Sequence, residues 1–374
     1  MYAAELMARL AERLPGLTAL GLGGARSRAA GIDTIVDMDQ VSVMGLVEVL
    51  RHYGQLRAAM HTLVEALDRH RPDLVIAIDF QEFNQRLAKA ARARGIPVLF
   101  FVAPQVWAWR AGRAKHFHRY ADRLAVLFDF EVPLFERHGL PTTHVGHPLL
   151  DLIEREAPDR TSARTALSLA EATPLIGLLP GSRRGEIERL LPAFLETAER
   201  LRAADPERRF VVPRADSIAP DWLEARIEAA APSAALRDRL VVTDGGARQV
   251  MAASDALLVA SGTATLEAAL IGTPQVIAYR SNALTYALAK RLVRLEHVGL
   301  PNVILGHAAV PERIQLEATP ARLAADLETI LADQGPHGQR AALAEIRERL
   351  GAGGALDRLA ELAVGMLARR LAAT

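Results

Sequence analysis

The sequence predicts an α/β protein built from two Rossmann-like domains, each a parallel sheet covered by helices, the two facing a cleft, with a helical C-terminal segment. Three observations predict it. Short apolar runs recur along the chain and helical patterns fill the intervals between them. Two of these runs end in small, hydroxyl-bearing loops that open directly into helices. The 374 residues suffice for two domains that each bury a full core.

Taken in order, residues 1–14 read as an amphipathic helix and Leu17 to Leu22 as a strand. Residues 43–69 are helical in pattern, with Gly45 and Gly54 as weak points. Leu74 to Ile78 is a buried strand, followed by a helix over 83–94. Pro97 to Val102 and Leu124 to Phe128 are further strands. Gly146-His147-Pro148 and the acidic, alanine-rich stretch to about Thr173 mark a boundary. Beyond it, strands fall at 175–179, 209–213, 239–243, 256–260 and 275–279, with helices between them. After Pro320 the pattern is helical to the end. The expected organisation is an N-terminal domain over 1–155, a second over 170–335 and C-terminal helices over 336–374. Ligands in such folds bind beyond the carboxyl ends of strands, which makes the cleft the expected site.

Composition narrows the function. A formal net charge of +1 implies no bulk attraction to nucleic acid. The absence of cysteine excludes disulfides, zinc thiolate sites and cysteine nucleophiles. No apolar run is long enough for a membrane-spanning helix, and no signal-peptide pattern is visible at the N-terminus.

The chemistry concentrates in loops that follow strands. Ser261-Gly262-Thr263 closes one apolar run and opens a helix. Free backbone N–H groups and the positive end of the helix dipole make such a loop an anion site. Glu267 lies one turn in, placed to accept hydrogen bonds from ribose hydroxyls, so a sugar nucleotide fits better than a bare phosphate. Pro180-Gly181-Ser182-Arg183 forms a second loop of this kind before a helix from about Gly185 to Leu201. Ser182 is suited to cap that helix, and Arg183 offers a planar fork for a diphosphate, although a surface ion pair is the usual fate of an arginine. Neither loop is a P-loop, and Gly21-Leu22-Gly23-Gly24 is followed by Arg26 where a dinucleotide fingerprint needs glycine.

In the first half, Asp79 stands at the carboxyl end of a strand, as a general base on a hydroxyl or as the cap of the next helix. Glu82 and Asn84 follow it. Trp107, Trp109 and Arg110 form either one wall of an acceptor pocket or a packed aromatic loop. His147 reads as a polar turn residue, and Asp37-Met38-Asp39 as a solvated loop rather than a metal motif.

Ala103-Pro-Gln-Val-Trp-Ala-Trp-Arg110, Val145-Gly-His-Pro148, Leu179-Pro-Gly-Ser-Arg183 with Glu186, Ala260-Ser-Gly-Thr-Ala-Thr-Leu-Glu267, Leu288-Ala-Lys-Arg-Leu-Val293 and Leu300-Pro-Asn302 stand in one order. Together they resemble the lipid-A-disaccharide synthases, inverting glycosyltransferases of the GT-B type, over nearly the whole chain. The resemblance implies transfer of a diacylglucosamine from UDP to diacylglucosamine 1-phosphate, giving the β-1,6-linked lipid A disaccharide precursor and UDP. It implies no metal and no organic cofactor. It makes Asp79 the base for the acceptor 6-hydroxyl and Arg183 the neutraliser of the leaving diphosphate. It makes Gly181, Ser182, Glu186, Ser261, Gly262, Thr263, Glu267 and Asn302 donor contacts, and Asn84, Trp107, Trp109 and Arg110 acceptor-side residues. Because both substrates are lipids, it implies a peripheral enzyme on the cytoplasmic face of the inner membrane, with a homodimer allowed.

The sequence also departs from the family. The resemblance places a short strand and a Gly-Glu-x-Ser-Gly-Asp loop before the helix that here begins at Met1, and neither is present. Gln81 and Ala25 stand where proline is frequent. These departures open one alternative, a non-catalytic UDP-binding homologue, beside a third reading, another UDP-sugar enzyme of the same architecture such as a peptidoglycan glycosyltransferase or an epimerase, against which the tryptophan motif argues. They also lead us to expect weak or no activity from the chain as it stands.

Overall fold

The computed structural model describes residues 2–38, 53–104, 106, 111–281, 297–333 and 338–372. The first stretch gives α1 (Tyr2–Arg13), β1 (Ala19–Gly23), α2 (Ala25–Ala29), β2 (Ile32–Asp37), α3 (Tyr53–His70), β3 (Val75–Ile78), α4 (Gln81–Arg92), β4 (Val98–Phe101), β5 (Arg123–Val126), α5 (Val132–Glu136) and β6 (Thr142–His144). The second gives α6 (Leu149–Glu156), α7 (Arg160–Ala166), β7 (Leu175–Leu179), α8 (Arg184–Ala204), β8 (Arg209–Arg214), α9 (Pro220–Ala229), α10 (Ala234–Arg237), β9 (Leu240–Asp244), α11 (Ala247–Ala253) and β10 (Ala256–Ala260). It continues with α12 (Thr263–Ile271), β11 (Gln275–Tyr279), α13 (Leu300–Leu305), β12 (Glu312–Ile314), α14 (Pro320–Ala332) and α15 (Gln339–Leu350). Helix α16 (Ala355–Ala372) ends the described chain.

Contacts divide the chain into two units, Met1–Pro148 with Ala352–Thr374, and Leu149–Gly351. The C-terminal helices are therefore shared out. Gln339 at the start of α15 accepts from the Gln275 amide and donates to its carbonyl at 3.0 Å, which ties α15 to β11. Leu356, Leu359, Ala360 and Ala363 of α16 pack instead against Leu6 and Leu10 of α1 and Leu99 and Phe101 of β4. Arg9 and Arg13 of α1 both reach Asp357, at 3.1 and 2.8 Å.

The second unit holds one parallel six-stranded sheet in the order β12-β11-β10-β7-β8-β9. Alternate side chains of its strands enter two cores. Ile176, Leu178, Phe210, Val212 and Leu258 meet α8 and α14 on one face. Leu175, Leu179, Val211, Leu257 and Val259 meet α11 on the other. The chain builds outward from β7 to β9, then returns to β10 and builds the other way. The order thus reverses between β7 and β10, which opens a crevice at their carboxyl ends.

The first unit holds two parallel sheets, β1-β2 and β3-β4-β5-β6. Among the described residues no backbone hydrogen bond joins β1 to β3. The same helices nevertheless cover both. Ala59 and Leu63 of α3 and Phe83 of α4 pack on Val36 of β2. Leu67 of α3 and Ala88 and Ala91 of α4 pack with Ala77 of β3. β4 is buried throughout, whereas β1 and β3 are mostly half-buried.

Three strands escaped the sequence reading: β2, whose Asp33 and Thr34 interrupt the apolar pattern, and the three-residue β6 and β12. Asp37 accordingly closes a strand rather than lying in a loop, and it pairs with Arg28. The expected boundary region contains two helices, α6 and α7.

Candidate functional site

The loops that follow β7 and β10, with the helices they open, carry the predicted donor residues other than Asn302. β7 and β10 are adjacent, with Leu179 paired to Val259, so the loops that follow them emerge side by side. Gly181 has φ +122°, and a Cβ there would sit 2.6 Å from Glu186 Oε2. Only glycine fits. The expected Ser182 cap is not formed, because α8 begins one residue later and Arg183 is its N-cap, without a side-chain bond. Glu186 takes over that task. Its carboxylate accepts from the Ser182 amide at 3.2 Å and from Arg183 Nη1 at 2.9 Å. The Arg183 side chain is 57% exposed, and Glu186 is its single partner among the described residues. An exposed guanidinium at the N-terminus of a 21-residue helix is poised for an anion.

The second loop completes the pattern. Ser261 donates its amide to Ala278, which extends the sheet by one bond. Gly262 is the N-cap of α12 at φ +157° and ψ −165°, a conformation essentially reserved for glycine. Gly262 and Thr263 are exposed, so the first amides of α12 face solvent. Glu267 is held at 3.1 Å by Arg248, which also pairs with Glu156. The sequence reading missed Arg248, since nothing local links residue 248 to residue 267.

Asn302 departs from expectation. It is fully buried, and its amide is spent internally. Nδ2 donates to the Val310 carbonyl at 2.8 Å and to Glu312 at 2.7 Å, while Oδ1 accepts from Ala309 and Val310. With both donors and both lone pairs used, it has nothing to offer a donor sugar. Its geometry is that of a brace between α13 and β12.

In the first unit, Asp79 is exposed at the carboxyl end of β3. It does not cap α4. Phe80 occupies that position, with no side-chain capping bond. The Asp79 carboxylate has no partner among the described residues. Asp79 and Phe80 are both left-handed, at φ +49° and +45°, and Val102 at the end of β4 has φ +70°. Each such residue costs roughly 1–3 kcal/mol, and strain of this kind gathers at functional sites. Two side-chain amides hold the region. Asn84 donates to the carbonyls of Ile78 and Asp79, at 3.0 and 2.8 Å. Gln81 donates to the Val102 carbonyl at 2.8 Å, and its Oε1 is buried without a partner among the described residues. Asn84 therefore turns both its hydrogens to backbone rather than to an acceptor.

Trp107, Trp109 and Arg110 lie outside the described residues. His147 is buried, its ring 5.9 Å from that of Phe128, and burial pushes its imidazole down to about 4. Large apolar side chains stand exposed on the loops after three strands of this unit: Met38 after β2, Phe80 after β3 and Phe130 after β5. Among the described residues no helix is long and apolar enough to cross a membrane.

Comparison with known proteins gives the same direction. Residues 1–353 match the family model described as lipid-A-disaccharide synthetase. The lipid-A-disaccharide synthase of Geobacter metallireducens is 43% identical over 358 residues, covering 95% of this chain and 91% of the relative. That of Geobacter sulfurreducens is 42% identical, covering 98% and 94%. Among solved structures, the UDP-GlcNAc 2-epimerase of Neisseria meningitidis bound to UDP-GlcNAc superposes with a TM-score of 0.63 at 14% identity, covering 97% of this chain and 96% of that one. A sucrose-phosphate synthase from Thermosynechococcus elongatus gives 0.58 at 17% identity, covering 100% and 93%. At such identities the structural likeness concerns the fold, which is that of the GT-B glycosyltransferases.

Proposed function

The chain belongs to the lipid-A-disaccharide synthetase family and is a glycosyltransferase that forms the lipid A disaccharide, and from that premise we propose which residues carry the reaction. The donor is UDP-diacylglucosamine. Its diphosphate lies against the N-termini of α8 and α12, contacted by Gly181, Ser182, Arg183, Ser261, Gly262 and Thr263. Glu186 holds Arg183 until the anion arrives, and Glu267 receives the ribose. What supports this most is the adjacency of β7 and β10, which sets two anion-binding loops side by side at the reversal of strand order.

The acceptor is diacylglucosamine 1-phosphate, and Asp79 is the base. Its carboxylate takes the proton of the 6-hydroxyl as that oxygen attacks the donor anomeric carbon. The new C–O bond forms on the face opposite UDP, the bond to the diphosphate breaks, and UDP leaves with both electrons. Arg183 and the two helix N-termini stabilise the charge that develops on it. An unpaired carboxylate outside the helix cap is available for this work, which a capping carboxylate is not. Asn302 serves by bracing the loop before β12.

Acyl chains must leave water near the acceptor. Met38, Phe80 and Phe130 are 43%, 36% and 37% exposed on the carboxyl side of the first unit's strands, and they supply an apolar rim for a lipid surface. The enzyme thus works as a peripheral protein on the cytoplasmic face of the inner membrane. The relatives do not favour a non-catalytic UDP binder.

Asp79→Asn tests the assignment. Transfer should fall by at least a hundredfold while calorimetric UDP binding stays unchanged, and EDTA should leave the wild-type rate unaltered. Unchanged turnover in the variant overturns the role of Asp79, and loss of rate in EDTA restores a metal.

A further inference from the structure

We infer that Asn84 is a positioning residue for Asp79, and that Gln81 extends the same clamp to the end of β4. The inference rests on the reading of Asp79 as the base. Asn84 sits one turn into α4, which Ala88 and Ala91 anchor in the core without any exposure. Its amide carries two hydrogens in one plane, and they reach two successive carbonyls, those of Ile78 and Asp79. On the other side the Asp79 amide donates to Phe101 of β4 at 2.9 Å. The peptide groups on either side of the Asp79 Cα are thus fixed, the preceding one through the Ile78 carbonyl and the Asp79 amide, the following one through the Asp79 carbonyl.

Those bonds select the left-handed conformation. An aspartate in extended backbone directly before a helix would cap it and spend its carboxylate on helix amides. With φ at +49° the cap position passes to Phe80, and the carboxylate remains unpartnered among the described residues. Neither residue tolerates that conformation as glycine does, so the backbone needs the side-chain amide. Gln81 repeats the device from the first position of the same helix. It donates to Val102, a β-branched residue at φ +70°, where the chain leaves β4 toward residues 103–110. One helix N-terminus therefore registers the ends of two neighbouring strands. Asparagine is specific to this task because it presents two donors from a short stem.

The experiment measures kcat and KM for both substrates in Asn84→Ala, Asn84→Ser and Asn84→Asp, with thermal melts and UDP calorimetry on each. Alanine removes both donors, and aspartate keeps the shape but turns two donors into acceptors that face carbonyls. Both should lower kcat by 10- to 100-fold with the donor KM within twofold of wild type and UDP affinity unchanged. Serine keeps one donor and should recover part of the rate. Combined with Asp79→Asn, the alanine change should remove no further residual rate, since Asn84 acts only through Asp79. Full activity in folded Asn84→Ala and Asn84→Asp, with Asp79→Asn inactive, overturns the clamp and leaves the base in place. A further loss in the double variant also overturns it. Full activity in Asp79→Asn instead refutes the reading of the base itself. If the alanine protein does not fold, the aspartate and serine variants decide by the same criteria.

Discussion

Replacing Arg183 by alanine should separate binding from stability more cleanly than any other change in the second unit. The guanidinium is 57% exposed, and its partner Glu186 is three residues away on the same helix turn. Exposed pairs at such spacings contribute about 0.3–0.5 kcal/mol. For a unit of this size that moves the melting temperature by roughly 1–2 °C. A charge-assisted bond to a diphosphate is worth about 1.5–3 kcal/mol, or a 10- to 150-fold change in UDP affinity. The alanine variant also leaves Glu186 beside the anion without its cation, which pushes the loss toward the upper end. Arg183→Lys restores the charge but not the planar fork, and it should fall between the two. Titration calorimetry with UDP and a parallel thermal melt read both quantities. Wild-type UDP affinity in the alanine variant would refute the placement of the diphosphate, as would a melting temperature lowered enough to explain the weaker binding by unfolding.

Three further changes address the scaffold around the site. Gly181→Ala places a Cβ 2.6 Å from Glu186 Oε2 at φ +122°, so UDP affinity should drop at least tenfold by calorimetry while the rest of the fold persists. Arg164 is 1% exposed and donates to the carbonyls of Ala253, Ala170, Glu171 and Thr173 and to Asp255. Arg164→Leu should cost about 3–5 kcal/mol in denaturant unfolding, because those carbonyls lose their donor. His147, neutral down to about 4 when folded against an ordinary 6.5, makes the unfolded chain the better proton acceptor between those values. Stability should therefore be unaffected by this group above pH 6.5 and fall by on the order of 3 kcal/mol as pH drops toward 4. Unfolding curves at pH 7.5 and 4.5 should show that loss in wild type and a smaller one in His147→Gln.

What could be read in the sequence depended on where the determining contacts lie. β7, β10 and β11 were legible to the residue because each is an almost wholly buried five-residue run that starts directly after a proline or an aspartate. β2 was not, since only Val36 of its six residues is buried and its polar positions break the run. The donor loops were visible because a strand, a glycine and a helix start are all local signals. Their adjacency was not, for it arises from strand order over some eighty residues of intervening chain. Ser182 was misassigned by one position, because the side chain that serves its amide lies four residues ahead at Glu186. Asn302 looked like a ligand contact in sequence, and only the folded positions of Val310 and Glu312 reveal that its amide is saturated.

The first unit places its candidate base at the end of a strand that, among the described residues, pairs along one edge only. β3 pairs with β4 on one edge, and among the described residues nothing pairs with the other. Three of its four residues are only half-buried. A general base must nevertheless be held to within about half an ångström of its working position. Part of the stiffness this requires comes from α4, which packs against β3. Its core face fixes the helix, and its first turns return Gln81 and Asn84 to the ends of β4 and β3. The clamp is local in sequence, five residues from Asp79 to Asn84, so it forms as soon as α4 docks. Left-handed strain at Asp79, Phe80 and Val102 is tolerable for the same reason: the amides that oppose it belong to one rigid helix rather than to a mobile loop.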